Sequence, residues 1–536
     1  MHRTTHGAVR ALRTFFATLL ATVCLTGAHA ADGSDEGDEA LAPIPYLPDA
    51  LGAYHWPITT GSPRAQQYFD QGMQLRYGYG MNDAARSMAM ARRLDPECAI
   101  CYWGEAFALG SFLNAGMSAE NAPLAHAAIQ RANELIDNAS PVEADLIRAA
   151  LMRYPADYDP DDRRPVDEAF AEAMAEVYER HPDHSEVAIV YTISLFLLEE
   201  RRGYRDLEDP DLQRIHGLLT SVIKGEPAHP GACHLYIHAT ESTSQPELGL
   251  PCAEVLGDAV PGASHIQHMP SHTFNEVGLW RRSVVANEKA GIADRGAANN
   301  ESFSYGEMHN LHMLLFAAAF DGQGEVAIEA SDRHTEVSGH PIYSLLTRVR
   351  FGRFDEILEM EDRPEMPMQA AIHDFARGYA QLKTGDVIGA RRALDAVQDY
   401  AETTEDRMRF HDAGTVLGAL GHLLEGEIAR TEGDLESVIE AFEKAVELED
   451  SLDYDEPEPL PFAPRHWLGA ALIEAGQPRE AEFVYRVELA DHPHNGWSLF
   501  GLQQALAAQG RSDGAVDRDL IASWGRADLE LQTSRL

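Results

Sequence analysis

Lysine is nearly absent from this chain. Four lysines (Lys224, Lys289, Lys383, Lys444) stand among 536 residues, and acids outnumber bases so far that the formal net charge is −43. A surface of that sign excludes a nucleic-acid partner, because phosphate binding needs a basic face. Cysteine is also sparse, at five. Cys98-Ala-Ile-Cys101 is followed by Tyr102 rather than histidine, so the c-type haem attachment pattern is missing. Beyond the N-terminus no apolar run is long enough to cross a bilayer, so no transmembrane segment is expected. Strand-like alternation is scarce. A nucleophile-elbow serine, a phosphate loop and a dinucleotide fingerprint are all lacking, which disfavours serine-hydrolase, nucleotide-dependent and nicotinamide-dependent chemistry.

The N-terminus reads as an export signal. Arg3, Arg10 and Arg13 lead into an apolar stretch from Phe15 to Leu25, and Ala28-His29-Ala30 fits a small-x-small cleavage site. Residues 1–30 are therefore expected to be a signal peptide, and the mature protein to be periplasmic or extracellular. Cys24 follows Val23, a poor match to a lipoprotein box. Cleavage would remove three arginines and no acid, shifting the charge to about −46. The acidic residues are dispersed apart from short runs such as Asp32 to Glu39 and Asp450 to Glu458, read here as solvated surface. Residues 31–60 read as a flexible acidic leader. The four remaining cysteines would sit in an oxidising compartment, where disulfides are the default.

Residues recur at fixed offsets beyond the leader. A frame starting at Ala65 puts Gly72 at position 8, Ala84 at 20, Met88 at 24, Ala91 at 27 and Pro96 at 32. One from Phe462 puts Gly469, Gly476, Ala481, Tyr485 and Pro493 at 8, 15, 20, 24 and 32. Frames from Ala419 (Gly426, Gly433, Phe442, Ala445) and Ala371 (Gly378, Gly385, Ala390) repeat the offsets. This is the pattern of the tetratricopeptide repeat, two antiparallel helices in about 34 residues. The fold class expected is all-α, a tetratricopeptide-like α-solenoid. It divides into less regular N-terminal helical repeats over 61–229, central histidine-rich repeats over 230–345 and C-terminal repeats over 346–536.

The centre carries the candidate chemistry. His234 and His238 precede Glu241; His265, His268 and His272 follow; His309 and His312 complete the set. Units starting at Pro230, Ser264 and Met308 place all eight on first helices, at positions 2, 5, 9 and 12, which line the concave groove in such repeats. A lone helical histidine is usually structural, and His229, His334, His340, His373, His411, His422 and His466 are read that way. Met269, Met308 and Met313 are explained by packing; Tyr236 and Tyr305 fit helix-core or supporting roles equally. Seven imidazoles and a carboxylate on three neighbouring helices instead point to a transition-metal ion, since crowded neutral imidazoles need a cation or a proton between them. Copper or zinc suits all-imidazole ligation, and an added carboxylate allows iron. Pro270 lies between His268 and His272 and predicts a kink that weakens the placement of His272. In the same frame Cys233 falls at position 4 and Cys252 at 23, within bonding reach across one helix pair; Cys98 and Cys101 would then pair with each other or stay as thiols.

The strings Leu94 to Gly104, His229 to His238, His268-Met-Pro-Ser-His272, His309-Asn-Leu-His312, Arg465 to Gly469 and Asn495 to Gly501 resemble those of exported bacterial tetratricopeptide-repeat proteins with histidine-rich motifs, mostly uncharacterised. The resemblance implies the fold and the place of the site, and no reaction. Two functions stay open. One is a metal-binding protein holding one or two ions, potentially a metal-dependent hydrolase or oxidase with Glu241 as ligand or general base. The other is an adaptor whose groove holds a peptide or partner protein.

Overall fold

Glycines at one or both of two fixed offsets explain how most of the helices pair. The computed structural model describes residues 41–199, 203–360 and 362–535. Helix Pro63–Tyr77 packs antiparallel on Met81–Leu94, Ala413–Glu432 on Leu435–Asp450, and Arg465–Glu474 on Pro478–Asp491. Where each pair crosses, a Cβ on Gly72, Gly426 or Gly469 would lie 2.7, 2.4 or 2.3 Å from Met88, Phe442 or Tyr485. Position 8 is thus small because position 24 is large. The glycines at position 15 (Gly278, Gly322, Gly385, Gly433, Gly476) all have φ between 71° and 96°, the left-handed turn that ends a first helix.

Helix pairs continue through the centre. Pro230–Thr240 pairs with Leu250–Ala259, and a Cys233–Cys252 disulfide with Cα atoms 5.0 Å apart clips them, as the frame requires. The other two cysteines, Cys98 and Cys101, form the second disulfide. Ser264–His268 and Pro270–Glu276 are two halves of one first helix broken at Pro270, with Met269 still right-handed helical between them. They pack on Trp280–Ala297, and Glu307–Phe320 packs on Gly324–Ser338. The described residues between 99 and 229 also form helices, with longer connections.

Distant parts of the chain close over these central helices. Pro493 accepts from the indole of Trp280, Trp497 donates to Ala319, and Asp528 accepts from the backbone of Gly324 and Glu325. From the N-terminal side, Ala50 accepts from the backbone of Gly262. Residues 41–60 differ from the loose leader expected of them. Ile44 and Trp56 are buried, Trp56 stacks edgewise on Phe69 and Trp103, and Tyr54 donates to Glu186. Three aromatics (Tyr46, Tyr54, Trp56) and several aliphatics give that segment enough apolar surface to dock. The expected signal peptide and residues 31–40 lie outside the described residues. No helix among the described residues is long and apolar enough to cross a membrane.

Candidate metal centre

Six of the seven predicted histidines gather into two neighbouring groups of three. His234, His238 and His265 form one, and His268, His272 and His309 the other; within each, the nitrogens lie within 4.8 Å of one another. The five other than His309 are at most 2% exposed, and His309 is half-buried. This differs from an open concave surface. Tyr79, in the turn after helix Pro63–Tyr77, packs on the first group, and Glu456 reaches His272 of the second. The kink at Pro270 does not remove His272 either, because its Nε2 lies 3.1 Å from Nε2 of His268.

Hydrogen bonds to acceptor-only partners fix most of the tautomers. His234 donates from Nδ1 to the carbonyl of Tyr77. His238 donates from Nδ1 to Glu241 Oε1 at 2.7 Å, and His272 from Nδ1 to Glu241 Oε2 at 2.5 Å. His268 Nδ1 faces Asn287 Oδ1 at 3.2 Å, an oxygen oriented by the Asn287 amide donating to Ser283. With the proton committed at Nδ1, Nε2 of His234, His238, His268 and His272 presents a lone pair, whereas Nδ1 of His265 is buried without a partner and its Nε2 faces that of His234 as a donor. The Nε2 atoms of His268 and His272 point at each other, those of His234 and His265 are 3.2 Å apart, and His238 Nε2 is buried with no hydrogen-bond partner. Metal–nitrogen bonds of about 2.0–2.1 Å put two ligands of one ion about 2.9–3.4 Å apart, the range into which both pairs fall. The facing lone pairs of His268 and His272 need a cation or a proton between them.

Electrostatics favour the neutral rings that metals require. Burial, reinforced by the neighbouring rings, holds His234, His265 and His268 well below the usual imidazole range. Burial also lowers His238, against the pull of Glu241. His272 differs: burial depresses it, but Glu241 and Glu456 outweigh that and lift it to about 9. Burial and Glu456 push Glu241 up, yet His238 and His272 bring it down to about 2. Without a metal, His272 would carry the proton shared with His268. Glu456 Oε2 lies 3.0 Å from His272 Nδ1. Tyr79, at φ 57° between two glycines, lays its ring over the first group, 4.4 Å from His234 and 5.1 Å from His265 between centroids.

Comparisons with known proteins leave the chain unassigned. No family model matches it, and no curated protein is similar to it. Solved structures similar to the chain include the APC/C hetero-tetramer Cut9-Hcn1, 13% identical over 86% of this chain and 76% of that one, with a TM-score of 0.28. A human IFIT1 dimer with m7Gppp-AAAA is 12% identical over 86% and 91%, with a TM-score of 0.31. Naa15/Naa10 bound to HypK-THB is 13% identical over 83% and 68%, with a TM-score of 0.24.

His312 does not join either group. Its Nδ1 accepts from the Arg409 guanidinium at 3.2 Å, and its ring packs on Tyr343. Three residues advance a helix by about 300°, so while His309 faces His268 and His272, His312 turns toward the hairpin of residues 407–412. A guanidinium on the ring nitrogen disfavours a metal there. Glu241, expected as ligand or base, accepts hydrogen bonds from His238 and His272 and forms with them and Glu456 a further buried set of four whose ligand atoms lie within 4.8 Å of one another. Glu456 went unrecognised, because it lies in the acidic run read as solvated surface. Leu452, Tyr454 and Pro457 in that run were the available signal. Met308 is exposed, and Met313 accepts from the Asn275 amide, so neither reaches the rings. His229 is structural: it caps helix Pro230–Thr240 and faces Glu186. Tyr305 packs edgewise on His265, and Tyr236 lies against His216.

Proposed function

We propose that this protein binds two transition-metal ions in one buried centre, the first on His234, His238 and His265 and the second on His268, His272 and His309. The observation that carries the reading is the carboxylate of Glu241, which accepts an Nδ1–H hydrogen bond from each group, one on each oxygen. Carboxylate partners of this kind fix tautomer and ring orientation in histidine–metal sites. Here one side chain aims two Nε2 atoms into two different groups. Imidazole donors suit copper or zinc, and the nearby carboxylates leave iron open. Three protein ligands leave a position free on each ion, the arrangement that activates water or dioxygen. Glu241 then acts as the positioning residue of both sites. Burial of the rings works against the adaptor reading, since a peptide on the surface would not touch them.

Elemental analysis of tag-free protein, loaded in turn with copper, zinc and iron and then desalted, tests this. Two ions per chain are expected. An absence of stoichiometric metal under every loading condition would overturn the reading.

A further inference from the structure

A cavity of about 350 Å³ opens against the second histidine group. Eight carboxylate side chains line it, and among its described lining residues there is no lysine or arginine. Several of the acids already have partners: Arg465 pairs with Glu449 and Asp450, Arg409 with Asp455, and His492 with Glu458. Glu276 is different. It makes no ion pair with any described residue, and burial, then Glu458 and Glu241, push its carboxyl well above the usual carboxylate range, so a cation bound beside it displaces a proton. Next to it Asn275, 6% exposed, gives its amide hydrogens to Met313 and leaves Oδ1 buried without a hydrogen-bond partner. A buried acceptor left without a donor is costly, so an acceptor beside a carboxyl that has no ion partner marks a place for a donor that is also a cation. Trp280 and Phe316 line the same cavity. Rings of this kind attract a cation and accept an apolar body.

Helix Pro270–Glu276 connects the two sites. One short stretch presents His272 to the histidine cluster and, within the next turn, Asn275 and Glu276 to the cavity. We propose that the cavity binds a small primary ammonium compound, its charged nitrogen held by Glu276 and Asn275 and its carbon skeleton against Trp280 and Phe316, beside the metal centre. The acidic walls supply the charge selectivity, and the volume suits a molecule of one ring or a short chain. Its neighbourhood to a metal rests on the reading above; the binding of the ammonium compound does not.

Isothermal titration calorimetry with 2-phenylethylamine and putrescine, at constant ionic strength, tests the proposal on metal-loaded and on chelator-treated protein. Neutral 2-phenylethanol and anionic phenylacetate serve as comparators. One saturable amine site per chain is expected, with both comparators at least tenfold weaker. Glu276→Gln should weaken amine binding at least tenfold without changing metal content, and Glu443→Gln on the exposed surface should leave it unchanged. Thermal melts of both variants establish that they are folded. Failure of both amines to bind saturably overturns the proposal, as does equal binding of 2-phenylethanol or an unaltered affinity in Glu276→Gln. Amine binding that depends on Glu276 in a protein that takes up no metal would uphold the cavity site and sink the metal reading alone. Two bound ions with no amine site would do the reverse.

Discussion

Glu241 has two oxygens, and each holds a different ring. Replacing it by glutamine keeps one acceptor and sets an NH₂ group against the other Nδ1–H. One metal site should therefore lose its orienting partner while the other survives. The expected loss for the affected ion is about 10–100-fold in affinity, read by competition with a chelator. The histidines should separate more sharply. His238→Ala and His309→Ala belong to different groups, so each should lower the metal content from two ions to one with helical circular dichroism preserved. Loss of both ions in either variant would mean that the groups act as a single site.

The rings also set a stability window for metal-free protein. His234, His265 and His268 are depressed by burial, so the folded chain holds fewer protons than the unfolded one below the ordinary histidine value. Their contribution is present above about pH 6.5 and is lost as the pH falls below it. His272 works in the opposite sense. It is raised to about 9, so its contribution is full below about pH 6.5 and disappears as the pH rises through about 9. Thermal melts of chelator-treated protein should thus fall off on both sides of neutrality, and bound metal should flatten the acid side until it dissociates. A melting temperature that rises steadily from pH 7 to pH 5 would contradict this.

At the scale of the helix pair, much of the architecture was legible because its determinants are local. A glycine eight residues into a unit, another at fifteen and a large residue at twenty-four lie within one repeat, and each has a steric duty that the chain itself reveals. Gly469→Ala should destabilise the fold by about 1–3 kcal/mol, because the new Cβ would stand 2.3 Å from Tyr485. Cys252→Ser should cost about 3 kcal/mol in the chain-entropy account, since the bridge to Cys233 closes a separation of 19 residues. Urea melts measure both. The Cys252 variant should also bind metal more weakly, because the bridge braces the helix that carries His234 and His238. The histidine positions followed from the same local frame, with His312 the exception. Its surroundings are set by Arg409, which comes from a hairpin the frame does not reach. Glu456 was illegible for the same reason: nothing near it in sequence shows that it meets His272.

Across the whole molecule, the closing contacts carry buried charge. Asp455 is 3% exposed and is held by Arg409 at 2.6 Å. Arg409→Ala would leave that carboxylate buried without its main partner, a loss of about 3 kcal/mol or more. The urea midpoint should fall accordingly, and Asp455→Asn introduced into the same chain should recover part of it. The net charge of −43 adds a diffuse term. Like charges spread over a folded surface repel, and salt screens them. The melting temperature should therefore climb as sodium chloride is raised from 50 mM toward 1 M.

The covering of the rings has a consequence in time. The turn that holds His234 through the Tyr77 carbonyl is made early in synthesis, and the segment bearing Glu456 is made late. The ligand cage is unfinished until nearly the whole polypeptide has emerged and folded back on itself. An ion entering afterwards must wait for a local opening, and one already inside must wait for the same event to leave. Uptake by folded protein should then be slow and independent of ion concentration once opening limits it, whereas uptake during refolding should be fast. The centre would behave less like an equilibrium site than like a lock set once, at the end of assembly.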